Sequence, residues 1–153
     1  MDKKDLKYQI DTMMDHFQIA CKKAGLKITH QRTEIYRQLL LTPDHPSAEV
    51  LHRRLLSLLP MISLDTVYRT LTTFEEYGLV CRIMTAESQA RFEATHLPHH
   101  HLICTQCKKV HDFTWPALDI KTLPTPAQDW GAIHSTTIVM SGICNDCLPS
   151  VKE

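Results

Sequence analysis

No stretch of this 153-residue chain comes near the run of about 18 apolar residues that a membrane span needs. The opening segment MDKKDLKYQIDTMMDH lacks the apolar core and the small-residue cleavage site of a signal peptide. Net charge is lacking as well, since 17 basic residues balance 17 acidic ones. No internal repeat or low-complexity segment is visible. The first two absences lead us to expect a cytoplasmic chain with no membrane partner. Thiols stay reduced in that compartment, so paired cysteines point to bound metal or redox chemistry rather than to structural disulfides. The length allows one ordinary domain or two small ones, and 43% apolar residues suffice for a core or two.

A zero sum of charge argues against nucleic acid only if the charge is spread evenly, and here it is not. Lys22, Lys23, Lys27, Arg32 and Arg37 stand against Glu34 alone, and Arg53, Arg54 and Arg69 follow against Asp65. A solvated helix face would carry the same pattern. Apolar spacing predicts four helices in this half. Leu6, Ile10, Met13, Met14, Phe17 and Cys21 mark one over residues 5–24, ended by Gly25. Thr29 caps a second that runs to about Leu41. Ser47 caps a third that runs to about Leu59, with Val50, Leu51, Leu55 and Leu58 inward. Ser63 caps a fourth that ends at Gly78, with Leu64, Val67, Leu71 and Phe74 in one stripe.

The outer side of the fourth helix carries Asp65, Thr66, Tyr68, Arg69, Thr70, Thr72 and Thr73. These are hydrogen-bonding groups rather than the Glu/Lys pairs of a merely solvated helix. Threonine methyls can touch thymine, threonine hydroxyls and Tyr68 can reach phosphate, and Arg69 can fork onto guanine. Two strand-like runs at 79–85 and 89–94 then form a hairpin. Helices followed by a hairpin, with the last helix polar outside, describe a winged helix-turn-helix, placed at residues 1–94. Cys21 and Cys81 read as small buried apolar residues.

From His96 onward basic residues become scarce and histidine, cysteine and strand-like runs take over. Strands are expected at HLIC, KVHDF and STTIVMSGIC, with a short helix near residues 116–123 and a turn at TPAQDWG. The fold class is therefore α+β, with a second domain over residues 95–153. That domain holds two Cys-x-x-Cys pairs, Cys104 with Cys107 and Cys144 with Cys147. Four thiolates suit a closed tetrahedral zinc site, and a redox-active dithiol is the competing reading. The βαβ setting of a thioredoxin-like dithiol is absent, as is the His-x-Glu signature of zinc deaminases. His99 and His101 alternate on a strand and share a face, while His100 points away. Asp112, on the returning strand, can face them, and a surface His-x-His is the plainer alternative.

The segments HPSAEVLH, SLDTVYRTLTTFEEYGLV, RFE, HHHLICTQCKKVHDF and GICNDC occur here in an order that resembles the ferric uptake regulator (Fur) family over residues 15–148. The resemblance implies a metal-dependent transcriptional repressor that binds palindromic double-stranded DNA as a homodimer. It implies an N-terminal winged helix, read here with Arg32, Thr66, Tyr68, Arg69 and Thr70 toward DNA, and a C-terminal α/β dimerisation domain. It implies structural Zn2+ on Cys104, Cys107, Cys144 and Cys147. It further implies regulatory Fe2+ or Mn2+ on His45, Glu93, His99, His101 and Asp112. No catalytic residues and no small-molecule substrate are expected. Asp112 resembles the peroxide-sensing (PerR-like) branch, whereas Arg69 and Glu93 resemble the iron-sensing branch. An additional metal site of some members has a histidine where this chain has Thr136, with His134 two residues away, so that site is not expected.

Overall fold

The computed structural model describes residues 3–84, 89–94, 99–116, 124–133 and 136–148. Hydroxyl side chains start three of the helices. Thr29 accepts the Arg32 N–H ahead of α2 (His30–Leu41), Ser47 accepts that of Val50 ahead of α3 (Ala48–Leu55), and Ser63 accepts that of Thr66 ahead of α4 (Leu64–Glu76). Each satisfies one of the amide donors that a helix start leaves orphaned, a stabilisation of about 1 kcal/mol. α1 (Lys3–Lys23) precedes them and gives way at Gly25. Gly25 and Gly78 both lie at φ 67, the left-handed conformation that turns the chain out of a helix and that a β-carbon disfavours.

The chain divides into two units, Met1–His96 and Leu97–Glu153. In the first, one apolar cluster joins α1 through Met14, Phe17 and Cys21, α2 through Ile35, Tyr36 and Leu39, and α4 through Val67, Leu71 and Phe74. Phe17 stacks on Tyr36 with centroids 4.2 Å apart and meets Phe74 edge-on at 5.3 Å, so three rings fix three helices. β1 (Cys81–Ile83) and β2 (Arg91–Glu93) form the antiparallel wing, with Arg82 opposite Phe92. β2 also bridges back to Ser47, and the Phe92 N–H bonds to the Pro46 carbonyl. The loop before α3 is thereby stitched to the wing.

Several residues depart from expectation. α3 stops at Leu55, and the chain leaves it in a tightened turn in which the Leu58 and Leu59 N–H groups share the Leu55 carbonyl. Leu58 consequently points outward, 51% exposed, and Leu59 packs on the core in its place. Cys81, expected to be buried, is exposed. Thr70, expected on the outward face of α4, is buried.

In the second unit β3 (His100–Cys104) is central, flanked by β4 (Val110–Phe113) and β5 (Val139–Gly142) in the order β4-β3-β5. β4 runs antiparallel to β3 with His101 opposite Asp112, and β5 runs parallel to β3 with His101 opposite Val139. The segment read as a turn holds a one-turn helix, α5 (Thr125–Gln128). Of the helix expected at residues 116–123, all but Pro116 lies outside the described residues, as does His134. Among the described residues no helix is long and apolar enough to cross a membrane.

Candidate metal centres and nucleic-acid interface

Four sulfurs gather in the second unit. The Sγ atoms of Cys104, Cys107, Cys144 and Cys147 all lie within 4.8 Å of one another, with Cys107 and Cys144 3.7 Å apart. Zinc–sulfur bonds of about 2.3 Å directed to the corners of a tetrahedron separate the sulfurs by about 3.8 Å, so the cluster fits one zinc ion. The chain turns tightly for this purpose, with Lys108 in the left-handed region (φ 62) and its N–H on the Cys104 carbonyl.

Backbone N–H groups of Cys144 and Cys107 aim at the Cys104 sulfur and bring its thiol down to about 6. Hydrogen bonding to the Cys144 sulfur, with burial and the other sulfurs adding, pushes Cys147 up to about 12. The fourth proton is therefore hard to remove unless a cation neutralises the cluster. Among the described residues of this unit, Ile103 and Cys104 are the buried apolar ones. One ion on all four sulfurs would cross-link β3 and the turn after it to the chain that follows β5, and a structural zinc contributes folding free energy in this way.

A second donor set stands beside it on the same sheet. The Nε2 atoms of His99 and His101 approach to 3.1 Å, and His101 Nε2 is 3.7 Å from Asp112 Oδ1. Cross-strand pairing of His101 with Asp112 is what aligns them. His100 and His111 stay out of this set. The His100 ring packs on Phe113 and its Nδ1 accepts the Ile138 N–H, so its role is to fasten β3 to the chain entering β5. His111 is exposed and pairs with Leu102.

The first unit holds a donor pair of its own. His45 Nε2 lies 3.0 Å from Glu93 Oε2, and both side chains are buried. Two donors each about 2.1 Å from one ion and at right angles are about 3.0 Å apart, so both sets have spacings that suit a divalent first-row ion. His45 sits in the left-handed region at φ 48. Such a conformation costs a residue with a β-carbon about 1–2 kcal/mol and persists only where its surroundings enforce it.

The polar face of α4 opens onto a cavity of about 410 Å³ lined by Lys27, Thr29, Arg32, Thr66, Arg69 and Thr70, among others. Arg32 donates to the Lys27 carbonyl at 2.8 Å, which fixes that cation at the start of α2. Arg69 is 81% exposed, and among the described residues its ion-pair contact is with Asp65 at 3.9 Å, a long exposed pair that constrains the guanidinium little. Tyr68 differs: its hydroxyl donates to the Glu49 carboxylate on α3. That bond holds Glu49 below the usual carboxylate range and raises the Tyr68 hydroxyl above its own.

Sequence reasoning did not reach Glu49 as the partner of Tyr68. It also missed Asp44 and Arg54, which pair with each other, and Arg91, which donates to the His45 carbonyl. The partners of the first pair are 19 residues apart and those of Asp44 and Arg54 are 10 apart, joined by turn geometry that leaves no periodic trace.

The profile of the ferric uptake regulator family matches residues 23–138, three quarters of the chain, with α4, His45, Glu93, His99, His101, Asp112, Cys104 and Cys107 inside it and Cys144 and Cys147 beyond it. The chain belongs to this family. Among relatives of the Fur family, the peroxide-responsive repressor PerR of Staphylococcus epidermidis is 32% identical over 139 residues, covering 90% of this chain and 92% of the relative. The PerR of Staphylococcus aureus strain Mu50 is 34% identical over 127 residues, covering 82% and 85%. Among solved structures, the Fur protein of Helicobacter pylori superposes with a TM-score of 0.75 at 25% identity, covering 91% of this chain and 93% of that one. The Fur protein of Vibrio cholerae gives 0.66 at 33% identity, covering 82% and 97%.

Proposed function

We propose that this chain is a metal-dependent transcriptional repressor that binds palindromic double-stranded DNA as a homodimer, with Fe2+ or Mn2+ as corepressor. One observation carries the reading. Imidazole and carboxylate donors converge in each unit, His45 with Glu93 and His99 with His101 and Asp112, while the four thiolates form a separate cluster. Thiolates select zinc and imidazole with carboxylate suits iron or manganese, so the chain has a structural ion and a regulatory ion to hold.

In this reading residues 1–94 are the winged-helix DNA-binding domain and residues 95–153 the metal-binding dimerisation domain. Cys104, Cys107, Cys144 and Cys147 hold the zinc, and His45, Glu93, His99, His101 and Asp112 together hold the regulatory ion. Ligands from both domains give that ion a higher affinity for the DNA-binding arrangement, and this difference shifts the population toward it. Arg32, Thr66, Arg69 and Thr70 line the cavity beside α4 and, with Tyr68, face DNA. The chain acts in the cytoplasm as a regulator and not as an enzyme. A mobility shift on an AT-rich palindrome, with zinc-loaded protein, tests the core of this: Mn2+ or Fe2+ should produce a salt-sensitive complex that the metal-free control does not. Equal binding with and without the added ion would remove the regulatory site.

We further infer peroxide sensing, motivated by Asp112 and by the PerR relatives. Ferrous ion, if held there, would supply the chemistry that breaks the O–O bond of H2O2; one oxygen would go to the ring of His45 or His99 in place of a hydrogen, and the other would leave as water. Peptide mass spectra after peroxide treatment of the Fe2+ form should show one added oxygen on one of these rings. Unmodified His45 and His99 would leave the second reading, an iron-responsive repressor without peroxide sensing, which Arg69 and Glu93 favour. A zinc-dependent redox protein is the remaining alternative. It predicts dithiol turnover and no metal-dependent DNA complex.

A further inference from the structure

We propose that Asp44 and Arg54 are positioning residues for the regulatory metal: their ion pair ties the loop ahead of α3 to that helix and holds His45 where its imidazole meets Glu93. The inference rests on the regulatory-site reading above and adds residues that donate nothing to the ion. Both carboxylate oxygens of Asp44 accept from the Arg54 guanidinium, at 3.0 Å from Nη1 and 2.5 Å from Nη2. A two-point fork of this kind fixes direction as well as distance.

The next residue is where direction matters. His45 has a positive φ of 48 and precedes a proline, which independently pushes the preceding residue toward extended backbone. Left to itself the backbone would relax and carry the ring away from Glu93, 3.0 Å from its Nε2. Three contacts oppose that. The Asp44 fork fixes the residue before, the Arg91 guanidinium donates to the His45 carbonyl at 3.3 Å, and the Phe92 N–H holds the Pro46 carbonyl at 3.1 Å. The last two tie the loop to the wing strand that bears Glu93. Of the three, the fork is the one that ties the loop to α3.

The pair is at the surface, with side chains 34% exposed for Arg54 and 52% for Asp44. An exposed pair adds little to global stability, so its effect on His45 is separable from an effect on the fold. Groups that orient a metal-binding histidine matter far more to affinity, on the order of 10–100-fold.

The test is a titration of zinc-loaded full-length protein with Mn2+, following the signal of the free hydrated ion by electron paramagnetic resonance. Asp44→Ala and Arg54→Ala should each weaken Mn2+ binding about 10–100-fold while zinc content is unchanged and the melting temperature moves only a few degrees. Arg54→Lys, which keeps the charge and loses the fork, should fall between these variants and the parent. His45→Ala reports on the underlying site and should abolish Mn2+ binding. If His45→Ala binds like the parent, the regulatory site falls and the positioning role with it. If His45→Ala loses Mn2+ but Asp44→Ala, Arg54→Ala and Arg54→Lys all bind like the parent, the positioning role alone is overturned. Mn2+ affinity lost only in step with melting temperature across the three variants assigns the pair to general stability and overturns it too.

Discussion

A tyrosine hydroxyl has one proton to give, and Tyr68 gives its proton to Glu49. What remains on that oxygen is acceptor capacity, whereas a phosphate oxygen also only accepts. While the bond lasts, Tyr68 is therefore matched to a base amino group or, through its ring, to a thymine methyl, and not to the DNA backbone. Tyr68→Phe should keep operator affinity within a few-fold of the parent. Tyr68→Ala should lose about 1–3 kcal/mol, roughly 5- to 150-fold, of discrimination at one base position. Mobility shifts on single-base operator variants decide this, and equal losses in the two variants would return the hydroxyl to the phosphate. The neighbouring Arg69 is a simpler case, exposed and 3.9 Å from Asp65. The Glu49 contact was not readable, because it depends on how α3 and α4 cross.

At the scale of elements, α4 connects the core to the polar face. Val67, Leu71 and Phe74 are fully buried on one side and Arg69 is exposed on the other. Phe74 meets both Phe17 and Tyr36, so Phe74→Ala should cost about 3–5 kcal/mol in urea unfolding and loosen α1 together with α4. A loss under 1 kcal/mol would mean that the ring cluster is not the anchor of the helices. Helix starts were legible because capping is local: Thr29, Ser47 and Ser63 each satisfy an amide three residues ahead. The helix end at Leu55 was not legible. Periodicity continues through Leu58, but the proline at position 60 disfavours helical backbone at Leu59, and the chain turns early. Cys81 was misread because a three-residue wing strand has too few positions for alternation to show which face is covered.

The two units of the whole molecule are held by different means. The first has a cluster of buried apolar side chains from Met14 to Ala94, while in the described part of the second the buried apolar side chains are Ile103 and Cys104, with His100 and His101 buried beside them on β3. Removing one zinc ligand should therefore be selective. Cys104→Ser should lose zinc, the second unit and the dimer, while the helical signal of the first unit melts separately and close to its original temperature. Circular dichroism against temperature, paired with zinc analysis, measures both. A single transition lowered as a whole would contradict the independence of the units. The cysteine spacing made a zinc cluster readable, and His-x-His with Asp112 made a second set plausible. His45 and Glu93 became candidates only through the family resemblance, since no local pattern ties a histidine before α3 to a glutamate on the wing.

Parallel pairing of β3 with β5 joins His101 to Val139, 38 positions later, a closure that costs about 3 kcal/mol of chain entropy. The core of the first unit is complete once Ala94 has been made. The last sulfur, on Cys147, follows Cys104 by 43 positions, roughly 2–9 s of synthesis at ordinary elongation rates. During that interval β3 has one open edge and three or fewer ligands. The fourth corner of the cluster exists only once Cys147 has been made, so the second unit gains its cross-link after the first has its core.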